Sequence, residues 1–255
     1  MKRSVCLLLC LWFLLQPTLA KGEKIRYAIF PAPPYMIGAD EQGKEISGVD
    51  VEIAREIAKQ LNLELEFVKC PWARCLELMK AGDADLLSSA YKRPEREAYM
   101  LYFETPYLDQ LPIAFYFEKG AGLTVAKYED LYRLKSIGVL RGAGYFERFD
   151  KDAQLKKYEV ASQDQLFPML AAGRLDAIAG YVTTENYRII AEGYAGKIER
   201  SQYEYAETAY VYMTLSKKSP LAQRLDEFNQ VNTQLAKDGV LARIRDAYYA
   251  KYTPQ

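Results

Sequence analysis

Apolar residues along the chain follow two spacings, one typical of strands and one typical of helices. Short apolar runs bounded by turn residues predict β-strands at residues 25–30, 63–68, 86–89, 113–117, 136–140, 177–179 and 210–215. Apolar residues three or four apart predict a helix at residues 51–61. Further helices are predicted at 76–80, 94–97, 162–173, 184–191, 219–238 and up to about 249, three of them from start signals at Pro94, Ser162 and Ser219-Pro220. Because strand, helix and strand at this spacing form a unit with parallel strands, the pattern predicts an α/β fold.

Residues at the ends of these elements refine the picture. Asp50 stands where the N-cap of the first helix is expected, so its carboxylate is interpreted as structural rather than catalytic. Ser162 and Gln165 have the spacing of a capping box. The segments MKAGDAD at 79–85 and LAAGRLD at 170–176 echo one another, since in each a helix stops at glycine and a strand begins beside aspartate. The repetition predicts two α/β lobes with a cleft between them.

The composition excludes several kinds of chemistry. The 255 residues contain no histidine, which rules out a Ser-His-Asp or Cys-His nucleophile and a histidine-ligated metal. The 34 basic residues are balanced by 34 acidic ones, so nucleic acid is not an expected partner. No cofactor and no metal site are expected.

The first twenty residues have the pattern of a secretory signal peptide. Lys2 and Arg3 precede an apolar run at residues 5–15, and small residues before Ala20 predict cleavage after that position. The apolar run is too short for a membrane span, and the bulky leucines before Cys10 disfavour a lipid anchor there. We therefore expect a soluble mature chain that is exported to the periplasm.

Two of the four cysteines remain after cleavage of the signal peptide, Cys70 and Cys75. Export to an oxidising compartment favours a disulfide between them, and their spacing permits one at a strand-to-helix turn. Such a bond would stiffen the loop that presents Trp72. The alternative is a pair of reduced, half-buried thiols.

Seven short motifs resemble those of the bacterial extracellular solute-binding proteins of family 3. In chain order they are GVDVEIA at 48–54, AGDAD at 81–85, PERE at 94–97, FETPY at 103–107, IGVLRG at 137–142, AGRLDA at 172–177 and KDG at 237–239. The resemblance implies a two-lobed, type II periplasmic-binding-protein-like α/β fold, with two mixed sheets flanked by helices. It implies crossover strands near 111–115 and 201–206, with lobe I at 21–112 and 204–255 and lobe II at 113–203.

The resemblance also implies ligand contacts. Arg96 falls where the family's arginine grips the substrate carboxylate, which a guanidinium can hold through two hydrogen bonds. Trp72 falls where an aromatic ring sandwiches the ligand. Ser88 and Ser89 match a strand end that meets the ligand, and Gly142 matches a turn whose N–H groups receive the carboxylate. Without the resemblance, a solvated charge would be preferred for Arg96, and a core position is commonest for a lone tryptophan.

Four positions depart from the family pattern. Tyr181 replaces the aspartate that binds the ligand's ammonium group, and Tyr91 replaces the serine that shares it. Gly144, beside Tyr145, replaces a hydroxyl-bearing residue, and the aromatic residue of the first loop is displaced to Tyr35. A charge-assisted hydrogen bond to an ammonium group is worth about 1.5–3 kcal/mol. The site therefore keeps its carboxylate clamp and loses its amine clamp.

These observations predict a monomeric solute receptor. Its lobes would close over a small polar, carboxylate-bearing solute, an amino acid or a related organic acid, and present it to the inner-membrane permease of an ABC transporter. Arg141, at the mouth of the second-lobe turn, could add positive charge, though a surface position is commoner. The alternatives are a ligand sensor and a periplasmic enzyme resembling cyclohexadienyl dehydratase. Glu185 is the nearest candidate acid for that enzyme, although the first turn of a helix usually exposes a glutamate.

Overall fold

The computed structural model describes residues 22–39, 43, 45–109, 112–206 and 210–252. Their strands are β1 (Glu23–Ile29), β2 (Leu63–Lys69), β3 (Leu86–Tyr91), β4 (Met100–Tyr102), β5 (Leu108–Asp109), β6 (Ile113–Glu118), β7 (Ile137–Leu140), β8 (Lys157–Val160), β9 (Ala177–Tyr181), β10 (Ile198–Tyr205) and β11 (Tyr210–Ser216). Their α-helices are α1 (Val49–Gln60), α2 (Trp72–Ala81), α3 (Pro94–Glu97), α4 (Glu147–Lys151), α5 (Leu166–Ala171), α6 (Val182–Ala191), α7 (Leu225–Lys237) and α8 (Val240–Tyr252). Short 3₁₀ helices lie at Tyr128–Arg133, Gln163–Gln165 and Pro220–Arg224.

The strands form two mixed sheets, one in each lobe. In lobe I the order is β2-β1-β3-β11-β4, with β5 also paired to β11. There β1 is parallel to β2 and β3, whereas β11 returns antiparallel to β3. In lobe II the order is β10-β6-β9-β7-β8. There β7 is parallel to β8 and β9, whereas β6 is antiparallel to both β9 and β10. The α/β fold with two mixed sheets is confirmed.

The chain passes between the lobes twice. The first passage follows β5 and leads into β6, and the second follows β10 and leads into β11. Residues 110–111 and 207–209, which join these strands, fall outside the described residues. The second sheet runs to Tyr205, two residues beyond the end expected for lobe II.

Each lobe has its own apolar interior. In lobe I, Ile53 of α1 and Phe228 of α7 belong to the buried cluster around the first sheet. In lobe II, successive residues of β6 face opposite sides of the sheet, as strand geometry requires. Phe115 accordingly belongs to one buried cluster and Tyr116 to the other. Burial on both faces explains why β6 reads as an uninterrupted apolar run.

A half-buried ion pair ties the strands of lobe I to the turn before α7. Asp85 accepts hydrogen bonds from Arg26 Nε and Nη2 at 2.9 and 2.8 Å and from Ser219 Oγ at 2.7 Å. Burial works against ionisation of this carboxyl, but the hydrogen bonds from Arg26 and Ser219 hold its pKa below the ordinary value. Asp85 therefore stabilises the fold in its ionised form.

Two helix starts differ from expectation. Helix α1 begins two residues earlier than an Asp50 N-cap requires, with Gly48 at the N-cap. Asp50 instead lies in the first turn, fully buried, so its predicted capping role is wrong. Helix α2 begins at Trp72, which therefore lies in a helix rather than in the preceding loop. The capping box of Ser162 and Gln165 is present, and it opens a 3₁₀ helix ahead of α5.

The predicted signal peptide lies outside the described residues. Among residues 22–252, with the gaps given above, no helix has the length and apolarity needed to cross a membrane.

Candidate functional site

A small cavity of about 60 Å³ lies between the two lobes. Lobe I lines it with Phe30, Ala32, Tyr35, Trp72, Ser89, Tyr91 and Arg96. Lobe II lines it with Leu140, Ala143, Gly144, Tyr145, Gln163, Leu166, Ala179, Gly180, Tyr181, Thr184 and Glu185. A volume of this size holds only a few water molecules. The walls are mainly aromatic and aliphatic, and Arg96 and Glu185 are the charged residues among those lining it.

Arg96, on the short helix α3, is buried with a relative exposure of 4%. Its Nη2 donates to the carbonyl of Gly142 at 3.1 Å, and its Nη1 lies 3.5 Å from the carbonyl of Tyr91. Its guanidinium carbon lies 5.2 Å from the centre of the Trp72 ring. Burial, and then the neighbouring Arg93, lower its pKa, but a guanidinium remains charged at neutral pH. In the described part of the chain no carboxylate forms an ion pair with it.

Trp72 connects the two lobes at the edge of the cavity. Its indole Nε1 donates to the carbonyl of Gly142 at 2.8 Å, so this one carbonyl of lobe II accepts from both Trp72 and Arg96. The Trp72 ring also packs edge-on against Phe30, with centroids 4.7 Å apart. Gly142 is not among the residues that line the cavity. The structure places its carbonyl, rather than its N–H, against the Arg96 guanidinium.

Tyrosines fill much of the space beside Arg96. Tyr145 and Tyr181 stack with centroids 5.8 Å apart, and Tyr91 of lobe I lies 6.1 Å from Tyr181. The Tyr181 hydroxyl donates to the carbonyl of Gly144, and the Tyr145 hydroxyl accepts from the Leu140 N–H. Burial raises the pKa of Tyr91, Tyr145 and Tyr181, so all three are neutral donors or acceptors.

Tyr35 lies in the wall contributed by the proline-rich first loop. It is buried, and its hydroxyl is 2.9 Å from the hydroxyl of Tyr249 on α8. Burial raises its pKa well above the ordinary value. The C-terminal helix therefore holds this aromatic ring against the cavity.

A salt bridge joins the lobes beside the tyrosines. Arg93, just before α3, donates through Nη2 to Asp150 Oδ2 at 2.6 Å, with side-chain exposures of 28% and 20%. The carboxylate of Asp150 also accepts from the N–H of Tyr145 at 3.0 Å. Gly144 makes room for this bridge, because a Cβ atom there would lie 2.0 Å from Arg93 Nη2. No local sequence motif indicates this pair, since its partners are 57 residues apart in sequence.

The two predicted serines belong mainly to a buried network below the cavity. Ser89 lines the cavity, but its hydroxyl donates to Asp50 Oδ2 at 2.7 Å. The Tyr107 hydroxyl donates to the same oxygen at 2.7 Å and accepts from the Ser89 N–H at 2.9 Å. Ser88 does not line the cavity; it is fully buried, 2.6 Å from the Tyr27 hydroxyl. Asp50 thus fixes Ser89 in its unusual left-handed conformation, with φ of 57°.

Glu185 is buried, which contradicts the expectation of an exposed glutamate. It folds back over the end of β9, where a Cβ atom on Gly180 would lie 2.3 Å from its Cγ. Its Oε1 accepts from Gln163 Nε2 at 2.6 Å, and its Oε2 lies 3.2 Å from Arg188 Nη1. Burial raises the pKa of Glu185, against the opposing effect of Arg188. The sequence signal for this inward position is Gly180, a glycine five residues before the first-turn glutamate Glu185.

Arg141 does not reach the cavity. Its side chain is 58% exposed, and its Nε lies 3.5 Å from Glu159 Oε2 on the neighbouring strand. The expectation that it adds positive charge to the site is not met, because Arg141 lies just after β7 and its side chain is directed to this surface pair.

Cys70 and Cys75 form a disulfide, with their Cα atoms 5.4 Å apart. The bond spans the start of α2, where Trp72 stands. The disulfide therefore constrains the first turn of α2, which carries Trp72. The described residues contain no cluster of His, Cys, Asp and Glu suited to a metal ion.

The sequence-family model for bacterial extracellular solute-binding proteins, family 3, matches residues 25–251 of this chain. The arginine-binding periplasmic protein of Mannheimia haemolytica is 30% identical over 153 residues, 59% of this chain and 59% of that protein. The histidine-binding periplasmic protein of Salmonella typhimurium is 28% identical over 164 residues, 61% of this chain and 59% of that protein. The chain thus spans less than two thirds of the length of these curated relatives.

Solved structures resemble the whole fold. An ancestral arginine-binding protein bound to arginine matches with a TM-score of 0.75 at 22% identity, covering 92% of this chain and all of that one. An ancestral amino acid-binding protein described as a precursor of cyclohexadienyl dehydratase matches with a TM-score of 0.70 at 19% identity, covering 91% and 97%. At these identities the likeness shows the shared fold.

Proposed function

Because this chain belongs to the bacterial extracellular solute-binding proteins of family 3, we propose that it is a receptor that closes two lobes over a small carboxylate-bearing solute. The observation that carries this proposal is Arg96. Its guanidinium is buried at the cavity wall, and in the described residues it has carbonyl acceptors but no carboxylate partner. A buried charge is costly unless it is paired, so a ligand carboxylate would complete this site.

The geometry supports capture by lobe closure. Arg96 and Trp72 of lobe I both donate to the Gly142 carbonyl of lobe II, and Arg93 pairs with Asp150 across the same gap. An arginine carries five N–H donors, so the contacts to Gly142 and Tyr91 leave others for a ligand. Aromatic walls exclude water on closure, and a drier site strengthens the attraction between guanidinium and carboxylate.

We further propose that the protein acts in the periplasm, after cleavage of its signal peptide, as a monomer without a cofactor. It would hand its solute to the inner-membrane permease of an ABC transporter. The relatives named for arginine and histidine support an amino acid or a related organic acid as the solute.

A second candidate function is dehydration of a cyclic carboxylic acid by an enzyme on the same fold. One observation favours it: Glu185 is a buried acid at the cavity, and burial raises its pKa. Against it, both oxygens of Glu185 already have partners within the protein, Gln163 Nε2 at 2.6 Å and Arg188 Nη1 at 3.2 Å. We therefore propose that the protein is a binding protein and not an enzyme.

A thermal-shift screen of refolded, ligand-stripped protein tests the proposal. The panel contains amino acids, small organic acids, amines and prephenate. A ligand at a hundred times its Kd adds about 2.7 kcal/mol, which raises the Tm by about 5–10 °C in a chain of this size. We expect carboxylates to raise the Tm of the wild type and not of Arg96→Gln. A response confined to amines or neutral solutes would overturn the clamp, and turnover of prephenate would establish the enzyme.

A further inference from the structure

The cavity receives one charged group from each lobe. Lobe I contributes the Arg96 guanidinium and lobe II contributes the Glu185 carboxylate, with relative exposures of 4% and 0%. The Arg93 guanidinium nearby is neutralised by Asp150 at 2.6 Å. A basic group and an acidic group therefore line the cavity from different lobes.

Glu185 shares its cationic partner with a second acid. Arg188 lies 3.2 Å from Glu185, but the same guanidinium makes two bonds to Glu192, at 2.7 and 3.1 Å. Two acidic side chains therefore share one guanidinium. The other partner of Glu185 is the neutral amide of Gln163 at 2.6 Å.

Glu185 also has acceptor capacity left. A carboxylate can accept about four hydrogen bonds, and Glu185 receives one at each oxygen among the described residues. Its position at the cavity is built into the fold, because a Cβ atom on Gly180 would occupy the space of the Glu185 side chain. The strand therefore has a glycine where the carboxylate turns toward the site.

We propose that Glu185 determines specificity by accepting a cationic or hydrogen-bond-donating group of the ligand while Arg96 holds its carboxylate, so that the receptor takes small zwitterions. This inference rests on the proposed function of Arg96. It assigns recognition of the ligand's amine to Glu185, four residues beyond Tyr181, the position of the family's aspartate. Glu185 would supply the negative charge that Tyr181 and Tyr91 cannot supply.

Isothermal titration with two matched ligand series tests this. The first series is glycine, β-alanine and γ-aminobutyrate, and the second is acetate, propionate and butyrate, which lack only the amine. Refolded wild type should bind at least one amino acid about ten- to a hundredfold more tightly than its amine-free counterpart, the range expected for a charge-assisted hydrogen bond. In Glu185→Gln this ratio should fall close to one while carboxylate binding persists.

Two further variants isolate the effect. Glu159→Gln removes a carboxylate from the exposed pair with Arg141 and should leave the ratio unchanged. In Glu192→Gln the Arg188 guanidinium no longer pairs with Glu192 and is left to Glu185 alone. Glu185 then attracts the ligand's amine less, so the ratio of amino-acid to amine-free affinity should fall by about threefold. Because Glu192 is 39% exposed, this variant tests the idea even where Glu185→Gln does not fold.

The outcomes separate the two proposals. Carboxylate binding with a wild-type ratio near one overturns the role of Glu185 and leaves the Arg96 clamp in place. A ratio that is unchanged in Glu185→Gln also overturns the role of Glu185. If Glu185→Gln does not fold, an unchanged ratio in Glu192→Gln overturns it. If neither series binds but a larger carboxylate of the thermal-shift panel does, the inference for short amino acids is overturned and the Arg96 clamp stands. If no carboxylate binds wild type, the proposed carboxylate receptor itself is overturned.

Discussion

The salt bridge between Arg93 and Asp150 provides a direct test of closure, since it links the lobes without lining the cavity. Arg93→Gln removes the charge and keeps most of the side-chain length. The bond of 2.6 Å joins side chains that are 28% and 20% exposed, so solvent screens it only in part. A bridge of this kind contributes about 1–2 kcal/mol, and here it does so in the closed form alone.

The expected result is therefore weaker ligand binding without unfolding. A loss of 1–2 kcal/mol corresponds to a Kd about five- to thirtyfold higher, expressed mainly as faster dissociation. Stopped-flow and titration measurements with the tightest-binding amino acid of the panel would show this. The effect should shrink in high salt, because added ions screen the pair.

Arg141→Gln is the matched control. It removes the same side chain from a pair with Glu159 that is exposed and lies within lobe II, so its Kd should equal that of the wild type. A double-mutant cycle with Asp150→Asn should show that the second substitution adds little in the Arg93→Gln background. A wild-type Kd for Arg93→Gln, or fully additive losses in the cycle, would refute the assignment of this bridge to the closed form.

Three further predictions concern stability and the shape of the site. Replacing Cys70 and Cys75 with serine should cost about 2 kcal/mol and lower the Tm by about 4–8 °C, measured by calorimetry; an unchanged Tm would show that the bond is not formed in solution. Asp85→Asn should cost about 1.5–3 kcal/mol at pH 7 in denaturant titrations, because the hydrogen bonds to its carboxylate hold its folded pKa below the ordinary value. That stability is present above the unfolded pKa of 3.8 and lost as pH falls through the folded value, so the difference from wild type should vanish in acid, and a constant difference would contradict it. Gly180→Ala places a methyl group 2.3 Å from Glu185 Cγ and should cost about 1–3 kcal/mol while lowering ligand affinity; a Kd equal to that of wild type would contradict the packing at this wall.

Much of the fold could be predicted because its determinants are local. The strand and helix spacings identify strands of both sheets, and the order of short motifs identifies the family. Strands β4, β5 and β8 were not predicted, since segments of two to four residues carry little periodic signal. Strand β10 was expected only near 201–206, as a crossover strand. Asp50 shows the limit of a local rule: its side chain is drawn into a buried network with Ser89 and Tyr107 rather than to the helix end.

The site could be predicted in part. Arg96 lies in one of the family motifs and Trp72 at a position where the resemblance implies an aromatic ring, and the structure places both at the cavity. Glu185 was expected to be exposed, because a first-turn glutamate usually is, yet the missing side chain of Gly180 lets it fold inward. Arg141 lies in the same turn as Gly142, but its side chain is directed outward to Glu159. Contacts with a neighbouring strand decide both cases.

The central claim is that the buried guanidinium of Arg96 binds the carboxylate of the solute. Isothermal titration of Arg96→Gln beside Arg141→Gln, with the glycine and acetate series and refolded protein, tests it most directly. The account predicts that Arg141→Gln binds like wild type and that Arg96→Gln loses at least about tenfold in affinity for every carboxylate. Equal affinities in the two variants would contradict the claim.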